Sequence, residues 1–358
     1  MSISDNPPLP SFEGPVCPLP LSHTDQIMIG HGSGGRMTHE LVARVFQAYL
    51  SSPALAAGDD FASLILPGSG RMAVSTDSHI VKPLFFPGGD IGRLAVCGTV
   101  NDVAVSGAVP LYLTAAFILE EGLPVETLQR VLVSMQAAAQ EAGIQFVAGD
   151  TKVVERGKAD GLFINTTGFG MIPAGCKIDG TQARPGDVVL ISGTLGEHGI
   201  AVLGARGELG FETGVLSDVA PLNGMIANLL AAAPHTHVLR DPTRGGLATT
   251  LNEIASQSQV CIQLEEKAIP VLPAVQAACE MLGFDPLYVA NEGKLIVIVP
   301  AEEAEAALAS LRAHPYGAQA ARIGLVKAEP QARVLLRTLI GGTRIVDTLA
   351  GEILPRIC

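Results

Sequence analysis

Aspartates recur where an apolar stretch gives way to a turn or a strand end: Asp59 and Asp60 in AGDDFA, Asp77 in VSTDSH, Asp102 in TVNDVA and Asp150 in VAGDTK. Hard cations such as magnesium take oxygen ligands, and α/β folds place ligand sites at strand ends, so this set suits a metal carrying a nucleotide phosphate. Taken singly, each aspartate reads equally well as a helix cap or turn residue. Their repetition is what points to a site.

Two glycine-rich turns could meet the anion. GHGSGG fits G-x-G-x-x-G at Gly30, Gly32 and Gly35, ahead of a helix that opens at Arg36. The short upstream strand and the lack of a compact βαβ unit argue against a dinucleotide fold, so the backbone N–H groups of a glycine-rich loop covering phosphates are the remaining functional reading. In RDPTRGGLATTLNEIA, Asp241 and Thr243 precede Gly245, Gly246 and an amphipathic helix, which is either an ordinary capped start or a second anion site flanked by Arg240 and Arg244. No Walker A sequence occurs. Lys152, after Asp150, and Glu292, in ANEGKLIVIV, are the candidates for proton transfer or phosphate contact, with surface ion pairing as the plainer reading.

The chain ends GEILPRIC, placing Cys358 beside the terminal carboxylate, whose charge disfavours a thiolate. Two readings stay open from these residues: an accident of the terminus, or a thiol delivered on a flexible arm. The other cysteines (Cys17, Cys97, Cys176, Cys261, Cys279) form no C-x-x-C pair, which excludes a zinc or disulfide framework, and prenylation needs a cysteine fourth from the end. The eight histidines show no metal-ligand spacing and read as structural or surface.

These residues need elements to hold them. Hydrophobic residues make up 48% of 358 and charged ones 16%, so the chain can build two ordinary cores. A net charge of -12 without a basic run excludes nucleic acid as a partner, and neither a signal peptide nor an apolar run of about twenty residues occurs, which places the protein in the cytoplasm. Residues 1–25 are a proline-rich leader. A helix over 36–50, a strand RMAVSTD, a helix DIGRLAVCGTVNDVAVSG, a strand LYLTAAFIL, a helix from Val125 to Ala142 and strands IQFVAGD and LFINTTGFG follow. A junction near Pro173 separates them from a second series, with strands GDVVLISG, VCIQL, KLIVIV and ARIGLV and helices near 222–233, 246–256, 271–282 and 302–313. The alternation predicts an α/β or α+β fold.

Taken in order from Gln26 to Cys358, HGSGGRM, DDFA, STDSHIVKPLFFPGGDIGRLAVCGTVNDVAVSGA, FILEEGLP, VAGDTKVVERG, DPTRGGL, ANEGKL and PRIC closely resemble the HypE family of hydrogenase maturation factors. The resemblance implies the two-domain fold of aminoimidazole ribonucleotide synthetase and selenophosphate synthetase. An N-terminal ATP-binding domain (26–172) would pair its sheet across a homodimer, a C-terminal α/β domain (173–347) would close the cleft, and 348–358 would be a mobile tail. It further implies ATP-dependent dehydration of an S-carboxamide on Cys358 to a thiocyanate. The carbamoyltransferase HypF would load the thiol, and a HypC–HypD complex would hold the iron that receives cyanide for a [NiFe]-hydrogenase.

By motif position, Asp60, Asp77, Asp102 and Asp150 correspond to magnesium and phosphate ligands, with Asn101 and Thr76 adjacent. Gly32, Ser33, Gly34 and Gly35 would cover the phosphates, and Asp241, Gly245 and Gly246 would frame the cleft. Lys152 and Glu292 would position the carboxamide and assist deprotonation. The last eight residues, extended, span roughly 25–30 Å, enough to enter a cleft and swing out. Two rivals keep some of these features: a superfamily enzyme acting on a free small substrate would work without Cys358, and a nucleotide-sensing scaffold would bind ATP without turnover.

Overall fold

The computed structural model describes residues 26–32, 36–50, 52, 70–207 and 213–348. Its first half is built on a four-stranded sheet. Strand β1 (Arg71–His79) pairs antiparallel with β4 (Leu162–Ile172), β4 with β2 (Val109–Glu120), and β2 runs parallel to the far edge strand β3 (Gln145–Val154).

Helices α1 (Ile91–Ala104) and α2 (Val125–Ala142) cover one face. Asp90 caps α1 by accepting from the N–H groups of Gly92 and Arg93 at 2.7 and 3.1 Å, satisfying two donors that the helix cannot. Every residue of α1 except Arg93 and Asp102 is buried, because the sheet, α2 and the second half of the chain surround it. Helix α2 is amphipathic, with Leu128, Val131, Leu132, Met135, Ala138 and Ala139 inward, and it ends at left-handed Gly143.

The second half is a seven-stranded mixed sheet. Its strands are β5 (Val188–Ile191), β6 (Val238–Arg240), β7 (Cys261–Glu265), β8 (Ile296–Val299), β9 (Ala321–Lys327), β10 (Arg333–Arg337) and β11 (Thr343–Val346), in the order β11-β10-β7-β9-β5-β8-β6. Helices α3 (Glu197–Ala205), α4 (Asn223–Ala232), α5 (Gly246–Ser258), α6 (Pro273–Leu282) and α7 (Ala304–Ala313) accompany it. Separate apolar clusters pack under α5 and under α4 with α7, so the central strands β5 and β8 read as the continuous apolar runs VVLI and IVIV.

The halves lock together through apolar and polar contacts. The first core takes in Val202, Val219 and Ala290 from the second half. Asn101 of α1 donates from Nδ2 to Ala220 O at 3.0 Å and accepts at Oδ1 from Leu222 N at 2.7 Å, while Arg93 Nε donates to Val219 O at 3.0 Å.

The sequence expectation of an unbroken helix over 36–50 is corrected: α-helical turns at Arg36–Leu41 and Gln47–Tyr49 flank a π-helical stretch, Val42–Phe46. Four elements carry too little pattern to be found by periodicity. Strand β6 has three residues, β10 and β11 are short, and α3 is buried nearly throughout, which removes any polar face. Among the described residues no helix is long and apolar enough to cross a membrane.

Candidate active site

Alternation along a strand decides which residues can meet. Asp77 pairs with Thr166, whose hydroxyl donates to Ala95 O of α1 at 2.9 Å, so Asp77 lies on the helix-covered face. Ser75, on that same face, donates to Asp102 Oδ2 of α1 at 2.8 Å. Behind them His79 is buried, its Nε2 3.6 Å from Asp77 Oδ2 and 3.5 Å from Thr166 Oγ1. Burial lowers the His79 pKa despite the neighbouring Asp77.

Asp150 and Lys152 do not join Asp77 and Asp102 within the chain. Asp150 pairs with Ala116, and Ala116 with Asn165, one residue out of step with Thr166. The pair therefore lies on the open face, on the opposite edge strand, about 14 Å from β1 across three strand spacings. Lys152 Nζ donates to Asp150 Oδ1 at 3.1 Å, with side-chain exposures of 66% and 62%. The side-chain amide of Asn101, next to Asp102, is engaged by Ala220 O, Leu222 N and, at 3.4 Å, Glu292 O.

From the second half come two loops. The loop carrying Asp241 enters α5 through Gly245 and Gly246, both left-handed. A Cβ on Gly246 would sit 2.6 Å from Leu287 O and 2.7 Å from Val289 O, so only glycine lets this turn press against the segment leading to Glu292. Asn291 laces the loops together: its N–H and Nδ2 donate to Pro242 O at 3.2 and 2.9 Å, and its Oδ1 accepts from Gly196 N at 2.7 Å. Glu292 is left with 5% of its surface exposed.

The electrostatics tie these loops to α1 and β1. Burial, reinforced by Asp218, Asp241, Asp77 and Asp102, raises the Glu292 carboxyl well above its ordinary range. Burial and Asp102 push Asp241 up to about 7, partly opposed by Arg240. Burial likewise raises Asp102, with Asp77 adding to the effect and the Ser75 hydroxyl opposing it. Asp77, Asp102, Asp241 and Glu292 thus share one negative region at the junction of the two halves. Among the described residues no three His, Cys, Asp or Glu side chains lie close enough to cage a metal ion. Ser33, Gly34, Gly35, Asp60 and Cys358 fall outside the described residues, and Gly32 ends a 3₁₀ turn, Ile29–Gly32.

Sequence reasoning missed a buried ion group beside Glu292. Lys294 Nζ lies 3.2 Å from Asp218 Oδ2 and 3.5 Å from Glu197 Oε2, and these side chains help line a cleft of about 760 Å³ between the halves, together with Arg93 and Tyr316. Lys294 follows Glu292 in the NEGK stretch and was within reach of a sequence reading. Asp218 and Glu197 occur in no recognisable motif.

Residues 58–172 match the family described as AIR synthase related protein, N-terminal domain, and residues 184–337 match AIR synthase related protein, C-terminal domain. The chain is 57% identical over 333 residues to the carbamoyl dehydratase HypE of Cupriavidus necator, covering 93% of this chain and 95% of that protein. A crystal structure of HypE in complex with ATP superposes with a TM-score of 0.89 at 52% identity, covering 92% of this chain and 99% of that one. A chain of a HypE–HypF complex superposes with a TM-score of 0.76 at 50% identity, covering 86% and 99%. The chain belongs to the HypE family of hydrogenase maturation proteins, built on the two-domain AIR synthase-related fold.

Proposed function

We propose that this chain dehydrates an S-carboxamide on its own Cys358 to a thiocyanate at the expense of ATP. The observation that carries the reading is the junction where the two domains bring Asp77 and Asp102 together with Asp241 and Glu292. Its relatives named for this activity, and one crystallised with ATP, support it.

The reaction turns S–C(=O)–NH₂ and ATP into S–C≡N, ADP and phosphate. The carboxamide oxygen is a poor leaving group until it is phosphorylated, after which its departure with phosphate requires both protons to leave nitrogen. Glu292, buried at the junction with its carboxyl raised above the ordinary range, is placed to take such a proton. Tethering of the carboxamide to the tail supplies it at high effective concentration.

The donor chemistry fits magnesium. Mutually repelling carboxylates, with Arg240 as the cation opposing them in the shifts of Asp102 and Asp241, call for added positive charge. Asp77 and Asp102, together with Asp60, would hold it, and it would neutralise charge on the phosphates. Gly32 to Gly35 would lie over those phosphates.

The same reading assigns a homodimer. Cross-strand pairing puts Met72, Val74, Val109 and Ile118 on the open face of the first sheet with exposures of 52%, 53%, 55% and 42%. A second copy covering that face buries them and brings another chain to Asp150 and Lys152. Lys152 orients the carboxamide in this arrangement. HypF supplies the carbamoyl group, a HypC–HypD complex accepts the cyanide, and the consumption of ATP places the protein in the cytoplasm.

The test is phosphate release on carbamoylated protein with ATP and magnesium. Wild type should release one phosphate per loaded thiol, and the Cys358→Ser chain, which cannot be loaded, should release none above background. Equal release from both would favour a free small substrate.

A further inference from the structure

We propose that Asp218 positions Glu292 for proton transfer, with Lys294 and Glu197 holding Asp218 in place. The inference rests on the reading of Glu292 as the proton-transfer group.

Asp218 grips the Glu292 turn at two consecutive donors. Its Oδ1 accepts from Glu292 N at 3.2 Å and its Oδ2 from Gly293 N at 3.1 Å. From the other domain Asn101 Nδ2 reaches Glu292 O at 3.4 Å, so the peptide groups on both sides of the Glu292 Cα are fixed. Gly293 closes the trap: a Cβ there would lie 1.8 Å from Asp218 O, so the turn packs backbone to backbone. A carboxylate side chain held this way has little freedom beyond its own rotamers.

The ion group behind it is costly for a merely structural device. Side-chain exposure is 3% for Asp218, 8% for Lys294 and 12% for Glu197. Buried charges need complete satisfaction, and well-packed apolar residues commonly stabilise such a position as well or better. Lys294 is shared between the two carboxylates, Thr194 Oγ1 donates to Glu197 Oε1 at 2.6 Å, and Glu197 Oε2 is left without a hydrogen bond. An arrangement that forgoes an apolar filling at this expense, and that ends on the two N–H groups beside Glu292, is accounted for by placing that side chain.

The experiment compares Asp218→Asn, Glu292→Gln and the double variant in single turnovers of carbamoylated protein with ATP. Asp218→Asn keeps the shape but cannot accept from both N–H groups and Lys294. Its rate of water loss should fall about 10- to 100-fold with the KM for ATP unchanged. In the Glu292→Gln background the same change should cause no further loss, the signature of a residue acting through Glu292. Lys294→Met, which leaves the Asp218 bonds to the turn but removes their support, should lower the rate in the same direction. Multiplying losses in the double variant, or a full rate in folded Asp218→Asn and Lys294→Met proteins while Glu292→Gln is slow, would overturn the inference. A full rate in Glu292→Gln would instead overturn the reading of Glu292 itself.

Discussion

On the helix-covered face of the first sheet, Asp77 and Asp102 sit with Asp241 and Glu292, and their charges help raise the Asp241 and Glu292 carboxyls; on the open face, Asp150 pairs with Lys152 and both side chains are about two-thirds exposed. The two faces belong to the same strands and differ only in the parity of the residues. Against the second domain, Asp102, Asp241 and Glu292 share a poorly solvated region, whereas the Asp77 side chain is half exposed. Charges on the open face are screened by solvent and contribute little until another surface covers them. A residue's chemistry in this molecule follows from what packs over its face of the sheet.

The largest expected effect separates the faces by what each variant loses. Glu292→Gln should slow water loss from the loaded tail by roughly 10²–10⁴-fold while ATP still binds, measured by single-turnover mass change and by equilibrium ATP titration. Lost ATP binding would mean that Glu292 serves the nucleotide instead.

Next comes a change confined to the open face. Val74→Lys, at a half-exposed apolar position, should abolish the proposed dimer in sedimentation velocity and lower activity with it, leaving each folded chain intact. A fully active monomer would remove the open face from catalysis.

A smaller effect is expected in the pH dependence of stability. Asp241 titrates near 7 in the folded chain against an ordinary value of 3.8, so folding favours its protonated form. The stability of nucleotide-free, magnesium-free protein should therefore be greatest below about pH 4 as far as this group is concerned, and should decline as pH rises through 7. Glu292, raised in the same direction, adds to the decline. Asp241→Asn should flatten that slope in thermal melts between pH 5 and 8.

The smallest is the stability change from Lys152→Met. Its exposed ion pair with Asp150 should be worth less than about 1 kcal/mol in chemical denaturation, so any loss of activity in that variant reports on function and not on folding.

Most of the elements in the second half were legible because their helices alternate with uninterrupted apolar strands such as KLIVIV, and α2 was legible because its apolar residues recur at helical spacing. The aspartate segments and Glu292 were legible as chemistry. Their grouping was not, because the faces occupied by Asp77 and Asp150 depend on a register that passes through β4 and β2, and non-local register leaves no trace in a single strand. That Asn101 also ties the domains together was not legible, because it depends on the distant partners Ala220 and Leu222. Asp218 escaped notice for the same reason: its partners are main-chain N–H groups more than seventy residues away.

The most direct measurement is mass spectrometry of the C-terminal peptide from protein carbamoylated at Cys358, taken before and after ATP and magnesium are added. Loss of one water from that peptide, absent in the Glu292→Gln chain, is the expected result. A peptide that keeps its full carbamoylated mass while ATP is bound would contradict dehydration at the tail.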